Sequence, residues 1–409
     1  MIIGIAIVGY VVGWAGSPLV LGYGHSDLDL FFWPSVQLAA HGHALSIYTS
    51  QAHLDYPNAN GPLGLLPLIP IALVGNAMGW ASQLPLVAAA SDAVAAVFMV
   101  LLTWQAMRLI GAPRRNIRLL AIAVTLLLTP TLMTSLGDYG HPEQPLELWL
   151  ILLAAGAALR GRPALSGVGV GLAFLTRTTA VLYAIPFVLL LLDTRRLRQS
   201  ATFVGATVCT VAIGLAPFAI ADASALLHSL WTYRADLPIA GGSLWVVARG
   251  GPLAGVVQHS DGYVVGLTAI ALCGVIAWRH RGARMTAATL FGALTVAALC
   301  FPMLAKTTLS YYYIEPYVFS VVWWLARPGS AINWRIAVPL AITGLSMLAR
   351  FTSNQLFTDG DQAVGIAASA VAAASSLLVV GDLVVRGDHG KKAQSVTAQP
   401  PAEAELAVS

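Results

Sequence analysis

A chain of 409 residues that is 57% hydrophobic and 10% charged, with a mean hydropathy of +0.76, carries too little polar surface to coat a soluble globule. The formal net charge of +4 does not make a nucleic-acid footprint, because the basic residues fall in short clusters between apolar runs, where they set topology. Cys209, Cys273 and Cys300 each sit inside an apolar run and read as small buried hydrophobes, not as a disulfide framework.

Apolar runs long enough for a helix to cross about 30 Å of hydrocarbon recur along the whole chain, without the polar alternation of a barrel. The expected fold is an all-α polytopic membrane protein. Residues 1–10 lack a basic region and read as a retained first helix. A long outer loop is expected at 23–61. The run 62–80 is interrupted by Pro62, Pro67 and Pro70, so it is expected as a short re-entrant or interfacial helix, with 84–108 the next full span. Beyond it, basic clusters at Arg108 to Arg118, Arg160 and Arg162, Arg195 to Arg198, Arg279 to Arg284, Arg327 and Arg335, and Arg386 to Lys392 separate paired runs. The pairs are 118–135 with 145–159, 164–176 with 179–193, 200–221 with 262–278, 285–305 with 312–326, and 336–355 with 361–384. Placing every cluster in the cytoplasm gives about twelve spans and two cytoplasmic termini. It also gives a second outer loop at 222–261, one transmembrane domain over 1–386 and a disordered cytoplasmic tail at 387–409. Most His and Asp residues then gather on the outer face, where a polar site is expected.

The first outer loop carries the most specific pattern. Asp27 is followed by the aromatic pair Phe31 and Phe32, the small residues Ala39 and Ala40, Gly42, Tyr48, and the steps Tyr56-Pro57 and Gly61-Pro62. This order and spacing resembles the first loop of the GT-C membrane glycosyltransferases, most closely the polyprenol-phosphate-mannose-dependent enzymes of glycosyltransferase family 87. The resemblance covers residues 20–195 by motif and the remainder by topology. It implies a GT-C-like fold with outer-face juxtamembrane helices, a polyprenyl-phosphate-sugar donor carrying mannose, a glycolipid or glycan acceptor, and residence in the plasma (inner) membrane of a bacterium. It implies no cofactor and no divalent metal. Two departures stand out: Phe31-Phe32 where Tyr is common, at the loss of a hydroxyl contact, and Arg177 where Lys is common.

Moving a sugar from a lipid phosphate to a hydroxyl needs a carboxylate near the anomeric carbon to take the hydroxyl proton. Asp27 would be that base and Asp29 is its rival, with a solvated loop acid or a helix cap the plain alternative for either. Arg177 ends a glycine-rich climb, SGVGVGLAFLTR, that reaches roughly 20 Å. The resemblance assigns such a residue to the lipid phosphate, against snorkelling or a structural ion pair. Arg234, in HSLWTYRADLP where a short interfacial helix is expected, is a second phosphate candidate. Asp138, His141 and Glu143 stand together in DYGHPE and offer substrate contact, metal ligation or a plain helix cap. In TLSYYYIEP, Tyr312 and Glu315 are candidate sugar contacts, against an aromatic belt at the interface. Tyr48 and Tyr56 complete the expected substrate-binding set through the loop resemblance. With no glycine-rich phosphate loop, nucleotide fingerprint or serine elbow in the sequence, a nucleotide-driven cytoplasmic mechanism is disfavoured. The rival classes are a polytopic transporter or flippase of envelope lipids or glycans, which would carry inverted repeats, and a non-catalytic membrane partner.

Overall fold

A computed structural model of the chain describes residues 8–13, 16, 19, 27–49, 57–110, 141–192, 197–241, 243–326, 334–353 and 362–386. Most of the expected first helix, the run 118–135, the tail from 387, and the candidates Tyr56 and Asp138 lie outside the described residues. In chain order a π-helical turn, Leu28–Phe32, runs into α1 (Trp33–Ala40), followed by α2 (Pro62–Leu65), α3 (Ile69–Met78), α4 (Leu84–Ile110), α5 (Glu143–Leu159), α6 (Pro163–Thr176) and α7 (Val181–Leu191). Then come α8 (Leu197–Leu227), α9 (Tyr233–Asp236), α10 (Ala254–Arg279), α11 (Ala287–Leu304), α12 (Ile314–Leu325), α13 (Ala337–Ser353) and α14 (Gln362–Arg386). The described strands are one two-residue parallel pair, β1 (Ala240–Gly241) with β2 (Thr307–Thr308).

Among the described residues, five helical stretches are long and apolar enough to cross a membrane: α4, α8 with its continuation to Asp236, α10, α11 and most of α14. The chain is thus an all-α polytopic membrane protein. Several expected spans are shorter than a bilayer needs. At 1.5 Å per residue the 14 residues of α6 and the 11 of α7 reach about 21 and 16 Å, against about 30 Å of hydrocarbon. The run 62–80 is short as its prolines require: it breaks into the 4-residue α2 and the 10-residue α3, each with a proline in its first turn.

The packing around α6 fixes the direction of the chain at Arg177. Thr207 Oγ1 donates to the Gly167 carbonyl at 3.1 Å, a Cβ on Gly171 would meet Thr210, and a Cβ on Gly214 would meet Leu175. Rising numbers on α6 therefore meet rising numbers on α8, and the two run parallel. By contrast Ser200 Oγ donates to the Val188 carbonyl at 3.1 Å, and Phe203 stacks on Phe187 with ring centres 5.5 Å apart. Hence α7 runs antiparallel to α8, and so to α6. The chain climbs α6 and descends α7, turning at an extended Arg177 (φ −140°, ψ 132°). Small residues permit this: Gly167 and Gly171 admit α8 on one side while Gly169 admits Ala154 of α5 on the other.

The second long loop differs from expectation at its far boundary. Asp222 breaks the helix (φ −161°, ψ 90°) and caps the next helical segment by accepting from the Ala225 amide at 2.9 Å, so the loop begins there. It ends at Ala254, eight residues before the expected 262, because α10 extends past the apolar run and carries His259 and Asp261 in its first two turns. The loop is stitched to residues 304–308. Ser243 Oγ donates to the Ala305 carbonyl at 2.7 Å, Trp245 Nε1 to the Leu304 carbonyl at 2.6 Å, and Thr307 Oγ1 to the Pro238 carbonyl at 2.6 Å. Lys306 Nζ donates to the carbonyls of Ala235 and Gln258, and the Lys306 amide donates to Asp261. Burial lowers the Lys306 pKa, with Asp261 and Asp236 acting against it.

At the other end of the bundle, Arg335 on the lead-in to α13 forms a two-pronged pair with Asp382 of α14, at 2.9 and 3.2 Å, beside Trp323 and Trp334. Arg160, Arg162, Arg279 and Arg335 share this end, opposite Arg177.

Candidate functional site

Four helix ends meet where Arg177 turns: the start of α5, the end of α6, the lead-in to α12 and the π-helical turn after Asp27. The segment before α2 is pressed onto the corner so closely that a Cβ on Gly61 would lie 2.1 Å from the Leu175 carbonyl, and one on Gly64 2.7 Å from the Thr176 carbonyl and 3.3 Å from Glu143 Cβ. Glycine is required at both positions by that approach.

Asp27 occupies the N-cap position of the π-helical turn, yet its side chain makes no capping bond. Its Oδ2 instead accepts from the Tyr311 hydroxyl at 3.0 Å and faces His141 Nε2 at 3.4 Å, a charge contact longer than a good hydrogen bond. On its other side His141 Nδ1 meets Glu143 Oε1 at 2.6 Å. The His141 ring lies 4.3 Å from that of Tyr311 and edge-on to Phe32 at 5.6 Å. Burial alone would lower the His141 pKa, but Glu143 and Asp27 outweigh it and raise the value to about 9, so the ring is an imidazolium at neutral pH. Burial raises the Tyr311 pKa, with the Asp27 charge adding to it, so the phenol keeps its proton and donates.

Arg177 anchors the neighbouring half. Its NH1 contacts Glu147 at 3.4 Å and pairs with Glu315 more closely still. Gln144 Nε2 donates to Glu315 Oε1 and to the Tyr311 carbonyl, each at 2.9 Å, and Thr179 Oγ1 approaches Glu147 at 3.4 Å. Glu143 and Glu147 are four residues apart on α5 and so share a face. Four carboxylates thus face two cations. The side chains differ in access: Asp27 is 20% exposed, Glu147 0% and Arg177 4%. Asp27 is the most accessible acid of the cluster.

Residues 58–307, more than half of the chain, match the family model of glycosyltransferase family 87. The chain belongs to glycosyltransferase family 87. No curated protein matches it. The matched region holds the α5–α8 scaffold with His141, Glu143, Arg177 and Arg234, whereas Tyr311 and Glu315 lie just past its end and Asp27 lies well before its start. It begins at residue 58, after most of the loop motif that first indicated the family but before its last step, Gly61-Pro62, and runs well past residue 195.

Of the residues expected in this glycosyltransferase's site, Asp27, His141, Glu143, Arg177 and Glu315 are brought together. Tyr312 adjoins them, stacked edge-on against Tyr311 at 4.6 Å and Phe301 at 5.0 Å. Asp29 lies two residues past Asp27 in a helical turn and so leaves the chain on a different side. Tyr48 is a fastener: its hydroxyl donates to the Asn60 carbonyl at 2.9 Å and its ring packs edge-on against Phe218 at 5.3 Å. Arg234 sits in the short helix expected in the second loop, beside Tyr233, whose ring is 6.0 Å from Phe31. The Arg234 Nε is buried and makes no hydrogen bond among the described residues. Glu147, Gln144 and Tyr311 were not anticipated as site residues. The signal for Glu147 was an acid four residues after Glu143 inside an apolar helix, which calls for a partner.

Proposed function

We propose that the protein transfers a sugar, mannose in our reading, from a polyprenyl-phosphate-sugar to a glycolipid or glycan acceptor on the outer face of a bacterial plasma membrane. Family membership supports glycosyl transfer. The observation that carries the site is Asp27, a partly open carboxylate oriented by Tyr311 and His141 at the rim of an otherwise buried polar cluster. A lipid-phosphate donor accounts for a site at the end of the bundle opposite the basic clusters, away from cytoplasmic nucleotide sugars.

The reaction is one in-line displacement with inversion. Asp27 takes the acceptor O–H proton, the oxygen pair forms the bond to the anomeric carbon, and the bond from that carbon to the phosphate oxygen breaks, its electron pair leaving with the phosphate. Arg177 is engaged by Glu147 and Glu315, so in this reading it braces the site. The Nε atoms of Arg177 and Arg234 are both unbonded, but Arg234 makes no ion pair among the described residues, and it receives the phosphate charge. Tyr312, half-buried and edge-on to Tyr311, is the sugar contact in this reading, while Glu315 is held in the interior by Arg177 and Gln144.

The test incubates membranes containing the protein with radiolabelled polyprenyl-phosphate-mannose and candidate glycolipids, comparing wild type with Asp27→Asn. Label should move to lipid acceptor in the wild type and not in the variant. Equal transfer by both would remove Asp27 from the base role, and failure with every polyprenyl donor would remove the donor class.

A further inference from the structure

We infer that His141, held by Glu143, is the positioning residue that fixes which oxygen of Asp27 takes the acceptor proton, leaving Oδ1 for the substrate; the inference rests on Asp27 being the base. Both contacts to the Asp27 side chain fall on Oδ2, from the Tyr311 hydroxyl and from His141 Nε2. Oδ1 has no partner among the described residues. Two contacts on one oxygen restrict the carboxylate and leave its second oxygen for the substrate.

The clamp has a built counter-charge. Glu143 Oε1 on Nδ1 and Asp27 on Nε2 put a carboxylate at each ring nitrogen, and both ring nitrogens are donors only in the imidazolium. Among the described residues, the titratable groups facing the ring are Asp27 before the π-helical turn, Glu143 on its own helix and Tyr311 on the lead-in to α12. Glu143 lies in the first turn of α5, where the positive end of the helix favours a negative side chain. The folded pKa of His141 lies above the unfolded value of about 6.5. Its stabilisation is therefore complete below that pH and disappears as pH rises through about 9. Above that range Asp27 loses its charged partner and its orientation together.

The Oδ1 assignment balances with the displacement above. The proton arrives at Oδ1 as the acceptor O–H bond breaks, while Oδ2 keeps its two contacts, and the proton then leaves from Oδ1 to water. His141 touches Asp27 and not the sugar, so its removal lowers kcat while leaving donor affinity close to wild type.

Two readouts test this on the full chain in nanodiscs. In protein carrying [15N]histidine, one imidazole should hold its proton to about pH 9. That signal should be missing from His141→Gln, and in Glu143→Gln it should titrate about one to two pH units lower, because the neighbouring negative charge is gone. In transfer assays Glu143→Gln should move the basic limb of kcat/KM downward by the same interval with donor KM unchanged. Tyr311→Phe should lower kcat without moving that limb. A His141 signal that titrates near the ordinary value of about 6.5, or one unmoved in Glu143→Gln, overturns the inference whether or not the protein turns over. A wild type that shows the raised titration but transfers from no polyprenyl donor instead sinks the proposed function. Should His141→Gln fail to fold, Glu143→Gln still decides, since it keeps the shape of the side chain and removes only its charge.

Discussion

Two carboxylate clusters lie side by side at the Arg177 end of the bundle, and they are made of the same materials. One is Asp27 with His141, Glu143 and Tyr311; the other is Glu147 and Glu315 with Arg177 and Gln144. In the first, the key carboxylate is 20% exposed and its cation is a histidine, whose charge depends on pH. In the second, the acids are sealed and the cation is an arginine, whose charge does not. Burial separates the roles. A sealed pair braces helices and cannot meet a substrate, while a half-open carboxylate beside a titratable partner can accept a proton and release it.

The comparison is broken most directly by removing one charge from each cluster. Asp27→Asn should lower transfer by about a hundredfold to ten-thousandfold, the usual worth of a positioned base, with protein yield and thermal midpoint close to wild type. Arg177→Met should do the reverse in kind: it strands Glu147 and Glu315 in the interior, a loss of about 3–5 kcal/mol that appears as poor yield and a lowered thermal midpoint. If Arg177→Met were as stable as wild type but inactive, the bracing role would fall and Arg177 would return to the phosphate. Arg234→Gln should raise the donor KM about tenfold while leaving stability alone, since one charge-assisted bond to phosphate is at stake. Donor KM unchanged in that variant would take Arg234 out of the site.

How much of this was legible depended on whether the signal was local. The corner at Arg177 could be read from a glycine-rich climb between two basic clusters, and the interrupted run 62–80 from three prolines, because backbone rules act over a few residues. The order of residues after Asp27 singled it out, and the structure sets it beside Tyr311 and His141. The partners were not. His141 and Tyr311 reach Asp27 from more than a hundred residues away, and Glu315 reaches Arg177 across 138. Nothing in one sequence says which of several acids will meet the arginine. The second loop was misjudged at its far end because His259 and Asp261 look like loop residues, although a membrane helix carries polar residues freely once it projects beyond hydrocarbon. Its docking onto residues 304–308 runs largely through backbone carbonyls, which every residue has and no pattern marks.

The smallest expected effect is the most discriminating about the loop itself. Asp29 shares its sequence neighbourhood, charge and exposure to chemistry with Asp27, and by residue type either acid serves as a base. Their surroundings differ: a helical turn sends side chains two residues apart in different directions, and both Tyr311 and His141 converge on Asp27. Asp29→Asn should therefore leave kcat and both KM values within about twofold of wild type, the range of a substitution outside the machinery. The measurement is the same transfer assay run on Asp27→Asn and Asp29→Asn in parallel. Loss of transfer in Asp29→Asn with survival in Asp27→Asn would move the base two residues along the chain. The clamp by Tyr311 and His141 would then be a brace like that of Arg177, and the contrast between the two clusters would vanish.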